Sequence, residues 1–214
     1  MTTEDTIESI ISVYHKPDIQ ISKHIVTDIL TDIVKRYGRR ANLLVFGAGH
    51  DTAMWINANK DGNTCVVEHD DAWFKKYASV FPENIIKHDF ANITVESSLE
   101  LELSDLERFP MPEKLNEQKW DVIIIDGPTG CNWDCPGRAL PIYWAKSKLS
   151  HSNTIVYVDD CDRDVEDRFI ELCFGENCQK RYYDGRYGTV RLAFYVQRAT
   201  TYGRAYAPSR KTRR

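Results

Sequence analysis

Five short, mostly apolar runs along this chain each stop at a glycine or a carboxylate: LLVFG (43–47), CVVE (65–68), IIKHD (85–89), VIIID (122–126) and TIVYVDD (154–160). Runs this short and this continuously apolar mark strands buried on both faces rather than half-exposed ones. Helical patterns separate them, over residues 51–59, 71–81 (stopped by Pro82), 139–149 and 163–174. Strand and helix in alternation predict an α/β domain with a mostly parallel central sheet and helices on both faces. In such sheets ligands sit beyond the carboxyl ends of the strands. Here those ends are where the glycines and acids collect, which makes that rim the place to look for a site.

The flanking segments fit one domain over residues 1–197. Helical spacing covers 4–14 and 22–37, so residues 1–40 read as N-terminal helices. In the second, Ile25, Ile29, Ile33 and Tyr37 recur every four residues, with Ser22 placed as N-cap and Gly38 as the stop. A last strand over 189–197 is expected to pair with one near 179–183. Residues 91–119 are ambiguous. The alternation in ITVESSLELELSDLERF allows an extra strand, and a helix or a lid-like insertion fits as well.

Charge is unevenly spread. The net charge is −4, yet Arg198 to Arg214 holds six basic residues and no acid, so the body is more acidic than the total suggests. An acidic body is a poor general binder of nucleic acid. Residues 198–214 read as a flexible basic tail, either simply solvated or in contact with an anionic partner. There is no run of ~18 apolar residues to span a membrane, and MTTEDTIESII has neither the basic start nor the apolar core of a signal peptide. The expectation is a cytoplasmic chain. Six cysteines include Cys131-x3-Cys135 and Cys173-x4-Cys178, neither at the usual zinc spacing, so free thiols are expected.

The turn after the first strand is Gly47-Ala48-Gly49, followed by His50 and Asp51. Thr52 stands where a dinucleotide fingerprint would have its third glycine, and the P-loop pattern is absent. That leaves the looser G-x-G of nucleoside-binding sheets, S-adenosylmethionine (SAM) methyltransferases among them. Glu68 lies 19 residues beyond Gly49 at the next strand end, where a carboxylate can accept ribose hydroxyls. Its alternative role, capping the following helix, suits Asp70 and Asp71 better. Asp89 at the third strand end is a candidate for an adenine amino group. Asp126 sits at the mouth of a central strand, and Asp159, Asp160 and Asp162 form a second acidic group. Carboxylates on neighbouring strand ends can hold a divalent cation, with Asp126 and Asp160 the candidate ligands. Equally, they can raise one another's pKa until one serves as a general base. Asp162 or Asp164 is also placed to cap the helix that follows.

LLVFGAGHDTAMW, VVEHDDAWF, WDVIIIDGPTG, CPGRALPIYWA and VDDCDRDVE resemble, in order, the signatures of the plant glucuronoxylan 4-O-methyltransferases and related polysaccharide-biosynthesis methyltransferases. The match runs from about Gln20 to Tyr195. It implies a Rossmann-like SAM-methyltransferase fold and methyl transfer to a sugar hydroxyl on a uronic-acid-containing glycan or precursor. It also implies that Gly47, Gly49, His50 and Asp51 line the SAM pocket and that Glu68 holds the ribose. Asp126 and Asp160 would be catalytic, with Arg138 and Asp162 on the acceptor. Where the family has His-Asp, this chain has Asp159-Asp160. The plant enzymes carry an N-terminal Golgi anchor, which MTTEDTIESII does not resemble. Trp133, Tyr143, Trp144 and Tyr183 are candidates for stacking on sugar rings, although core packing is the commoner role for aromatics. Rival readings are a dinucleotide enzyme using the same turn, methylation of a small phenol or a nucleoside ribose, and a SAM- or glycan-binding module without turnover.

Overall fold

The computed structural model describes residues 2–90, 93–175, 178–185 and 188–194. The predicted basic tail, 198–214, lies outside them, as do residues 195–197 of the last predicted strand. Two helices come first. Thr2 and Asp5 cap α1 (Thr3–Tyr14) reciprocally, each side chain accepting the other's backbone N–H. Ser22 caps α2 (Lys23–Leu30), which continues through Thr31–Arg36 in wider π-type turns. Gly38, at φ +60°, then ends the helical stretch.

The sheet is built from β1 (Asn42–Phe46), β2 (Asn63–Glu68), β3 (Ile85–Lys87), β4 (Trp120–Ile125), β5 (Ser150–Asp159), β6 (Cys178–Tyr183) and β7 (Thr189–Phe194). Among the described residues the strand order is β3-β2-β1-β4-β5-β7-β6. The first five strands run parallel; β7 pairs antiparallel with β5, and β6 antiparallel with β7. The order reverses between β1 and β4, and the helices that follow them pack on opposite faces of the sheet, which leaves a crevice outside their carboxyl ends.

Helices cover both faces, as predicted. Side chains alternate along each strand, so Leu44 and Phe46 face one core with Ile123, Ile125, Val156 and Val158, while Leu43 and Val45 face the other with Val122, Ile124, Ile155 and Tyr157. α1, α2, α3 (Thr52–Ala58) and α4 (Asp71–Ala78) cover the second set; α7 (Ala139–Trp144) and α8 (Asp164–Phe174) cover the first. Both sets are apolar, which is why the strands read as unbroken runs.

Residues 93–119 hold no strand among those described. They form α5 (Val95–Ser98), α6 (Leu103–Leu106) and a 3-10 turn, Glu113–Glu117. The apparent alternation comes from two short helices and the turn between them: Leu99 after α5 and Leu103 and Leu106 in α6 all pack into the α7–α8 core. Leu115 is fully buried there and accepts the Trp120 indole N–H at 3.1 Å. All six cysteines are free thiols. No helix of the described residues is long and apolar enough to cross a membrane.

Candidate active site

The two glycines of the opening turn do different work. Gly47 has φ +99°, and a Cβ there would stand 2.9 Å from the backbone C and O of Asp126 and the N of Gly127. A Cβ on Gly127 would come within 2.6 Å of the Gly47 Cα. The ends of β1 and β4 therefore touch main chain to main chain, which only glycine permits. Gly47→Ala is expected to pry these ends apart and to abolish nucleoside binding, read as loss of the calorimetric signal with S-adenosylhomocysteine; wild-type affinity in that variant would refute the contact. Gly49 needs no unusual φ. Its N–H donates to Thr52 Oγ1 at 2.8 Å and its carbonyl accepts the Tyr77 hydroxyl at 2.7 Å. Thr52, in the third-glycine position, thus closes the turn itself.

Glu68 ends β2 inside this turn. It is 2% exposed, with Oε2 accepting the Ala48 N–H at 2.5 Å and Oε1 the Asp70 N–H. His69 Nδ1 stands 3.0 Å from Oε1, and its Nε2 meets Thr129 Oγ1 at 3.1 Å, tying β2 to the loop after β4. Asp70, not Glu68, caps α4, accepting the N–H groups of Ala72 and Trp73 at 2.9 Å. Each carboxylate oxygen can accept about two hydrogen bonds, so Glu68 is fixed by the backbone with capacity left for a ligand. It lines a cavity of about 250 Å³ with Gly47, Ala48, Asp70, Trp73, Asp126, Gly127 and Thr129.

Asp126 and Asp160 do come together, with Asp159 as a third partner; their carboxyl oxygens lie within 4.8 Å of one another. Asp160 is turned back by a left-handed backbone, φ +54°, a conformation that aspartate tolerates better than most residues and that gathers at functional sites. Arg138 holds the group. Nη2 lies 3.1 Å from Asp126 Oδ1 and 2.7 Å from Asp160 Oδ2, while Nη1 donates to the Asp159 carbonyl. Asp160 Oδ2 also pairs with Arg163 Nη1 at 2.9 Å, and Thr189 donates its hydroxyl to Asp159 Oδ1.

Too many acids share this ground for all to ionise freely. Desolvation raises the Asp126 carboxyl well above the ordinary range, with Arg138 opposing and Asp159, Asp51 and Asp160 reinforcing. Burial raises Asp159 and Glu166 too, both eased by Arg138. Burial works against the Arg138 cation, but Asp126, Asp160, Glu166 and Asp159 outweigh it and raise its pKa. Oxygens of the Asp126 and Asp159 carboxyls lie within 4.8 Å of each other, so the two titrate as a pair.

The remaining predicted residues take other roles or lie elsewhere. Arg138 is 3% exposed, spent on the strand-end acids rather than presented to an acceptor. His50 is half exposed, paired with Asp18 Oδ2 at 2.7 Å and edge-on to Trp73. Asp51 is buried, accepting the Trp55 indole N–H at 2.9 Å. Asp89 is exposed and lines a different cavity, with His88, Phe90 and Arg108. Asp162 is exposed on the turn before α8; neither it nor Asp164 is the N-cap of that helix, a position held by Arg163 with no side-chain capping bond to the first turn. Sequence reasoning left Glu166 unremarked. An acid inside an amphipathic helix reads as a solvated face, yet this one is 1% exposed and 3.9 Å from Arg138 Nε. Tyr143, Trp144 and Tyr183 are core residues, whereas Trp133 is 61% exposed.

The profile of the IRX15/IRX15L/GXM family matches residues 26–97 and 86–181. Glucuronoxylan 4-O-methyltransferase 3 of Arabidopsis thaliana is 33% identical over 195 residues, covering 81% of this chain and 64% of that protein. Glucuronoxylan 4-O-methyltransferase 2 of the same plant is 31% identical over 196 residues, covering 81% and 66%. The chain thus spans just under two thirds of the length of these relatives. Among solved structures, an O-methyltransferase from Bacillus cereus in complex with SAH superposes with a TM-score of 0.52 at 15% identity, covering 89% of this chain and 91% of that one. That likeness establishes the Rossmann-like methyltransferase fold.

Proposed function

This chain belongs to the IRX15/IRX15L/GXM family, and on that premise we propose that it is a SAM-dependent O-methyltransferase acting on a sugar hydroxyl of a uronic-acid-containing glycan or glycan precursor. One observation carries the proposal. A backbone-anchored carboxylate, Glu68, and a desolvated one, Asp126, line the same cavity on either side of the Gly47 turn. The first suits ribose hydroxyls; the second suits the proton of an attacking alcohol.

Bound SAM would supply an electrophilic sulfonium methyl group with a thioether as the leaving group, and Gly47, Ala48 and Glu68 would hold its nucleoside. Glu68, fixed by the Ala48 and Asp70 amides, orients the nucleoside. Asp126, whose high pKa makes its anion an effective base, takes the hydroxyl proton. Arg138 keeps Asp126 and Asp160 in register, and this positioning is a large part of what such a transfer needs. The oxygens of Asp126, Asp159 and Asp160 also form a hard donor set that fits a divalent cation, which would lower the acceptor hydroxyl's pKa.

Two measurements test this reading. Calorimetry should show SAM and its demethylated product binding, and NAD failing to bind; NAD binding would reassign the turn to a dinucleotide. Labelled SAM offered with uronate-bearing glycans, small phenols and nucleosides should mark the glycans, with a lower rate in EDTA that Mg²⁺ or Mn²⁺ restores. Label on phenols or nucleosides alone, or none at all beside intact SAM binding, would remove the glycan transferase. An unchanged rate in chelator would leave the acidic cluster to proton sharing.

A further inference from the structure

The loop after β4 has a cavity on each side. Gly127 and Thr129 line the one shared with Glu68. Gly130, Asn132 and Trp133 line the other, about 370 Å³, together with Arg163, Asp164 and Glu166 from the start of α8. This second space has the makings of a sugar site. Of the chain's five tryptophans, Trp133 is the most exposed, at 61%, Trp73 is half-buried, and Trp55, Trp120 and Trp144 are fully buried. It is nevertheless held in place: its carbonyl accepts the Glu96 N–H at 3.1 Å, and the Cys135 carbonyl accepts the Val95 N–H at 2.7 Å. An exposed indole on an anchored backbone offers a flat apolar face, which matches the C–H face of a pyranose.

The other walls suit hydroxyls. Asn132 and Asp164 are exposed amide and carboxylate groups. Glu166, 1% exposed, has an Oε1 with no hydrogen-bond partner among the described residues, and burial raises its pKa. A Cβ on Gly130 would lie 3.2 Å from that Oε1 and 3.5 Å from Arg163 Nη1, so a side chain at this position would crowd both groups. Arg163 ties the cavity to the chemistry, since the same Nη1 holds Asp160 Oδ2 at 2.9 Å.

We propose that this cavity is the acceptor subsite: a sugar ring stacks on Trp133 while Asn132, Asp164 and Arg163 take its hydroxyls. The assignment rests on the methyltransferase reading above, yet it fails separately. In Trp133→Ala, the KM for a glucuronate-bearing xylo-oligosaccharide should rise about tenfold, equivalent to ~1.4 kcal/mol, with the Kd for S-adenosylhomocysteine and the melting midpoint unmoved. Trp133→Phe should recover most of that loss. Gly130→Leu, which fills the cavity, should raise the same KM at least as far. An unsubstituted xylo-oligosaccharide in the same series tells whether the ring alone or its carboxylate is read; binding of either through Trp133 supports the subsite. Wild-type turnover on the glycan with unchanged KM in both Trp133→Ala and Gly130→Leu would overturn the subsite and leave the transferase standing. A wild-type protein that binds SAM but neither oligosaccharide would overturn both.

Discussion

Asp126→Asn is expected to lower methyl transfer by about 10²–10⁴-fold, the range for removing a general base, while the affinity for S-adenosylhomocysteine stays close to that of the wild type. The substitution keeps the size of the side chain and an oxygen for Arg138 Nη2, which stands 3.1 Å from Oδ1, so the cluster can persist. What it removes is the ability to take a proton. The carboxyl is suited to that task because desolvation lifts its pKa well above the ordinary range, even with Arg138 beside it. Asp160→Asn should cost turnover as well, since Asp160 Oδ2 is where Arg138 and Arg163 meet. Single-turnover kinetics with labelled SAM would check both. Near-normal rates in Asp126→Asn would take the base role away from that residue and leave Asp159, its neighbour in the acidic cluster, as the remaining acid of the pair.

Arg138→Met should be the most destabilising single change at the site, costing ~3–5 kcal/mol, because truncating one partner of a buried ionic group leaves the others uncompensated. Methionine preserves much of the volume, so the loss reports charge and hydrogen bonding more than a cavity. Arg138 binds Asp126, Asp160 and the Asp159 carbonyl, and lies 3.9 Å from Glu166. Arg138→Lys should recover only part of the loss, because a point charge cannot span these partners as the planar fork does. Denaturant midpoints of the three proteins decide it. A lysine variant as stable as wild type would show that charge alone suffices, and a stable methionine variant would show that the acids settle their repulsion by protonation.

The contrast between Arg138 and Trp133 marks the division between sequence and structure. Local order was legible: the unbroken runs of β1, β2, β4 and β5 require cover on both faces, and backbone geometry then throws Gly47, Glu68, Asp126 and Asp160 onto one rim. That follows from residue type and short-range periodicity, which the chain carries in itself. Segment 93–119 was ambiguous because two periodicities overlap in it, and burial of Leu106 and Leu115 against the sheet decided in favour of helical turns. Whether a polar or aromatic side chain faces inward depends on elements far away in sequence. Arg138 looks like a surface anion binder until β4, β5 and α8 close around it, and Trp133 and Trp144 look alike until only one is covered. Glu166 shows the same effect from inside a helix whose pattern reads as solvated. Backbone propensity and apolar spacing are local energies, so they can be read from the chain; desolvation and pairing are pairwise terms between distant residues, and they exist only once the sheet has assembled.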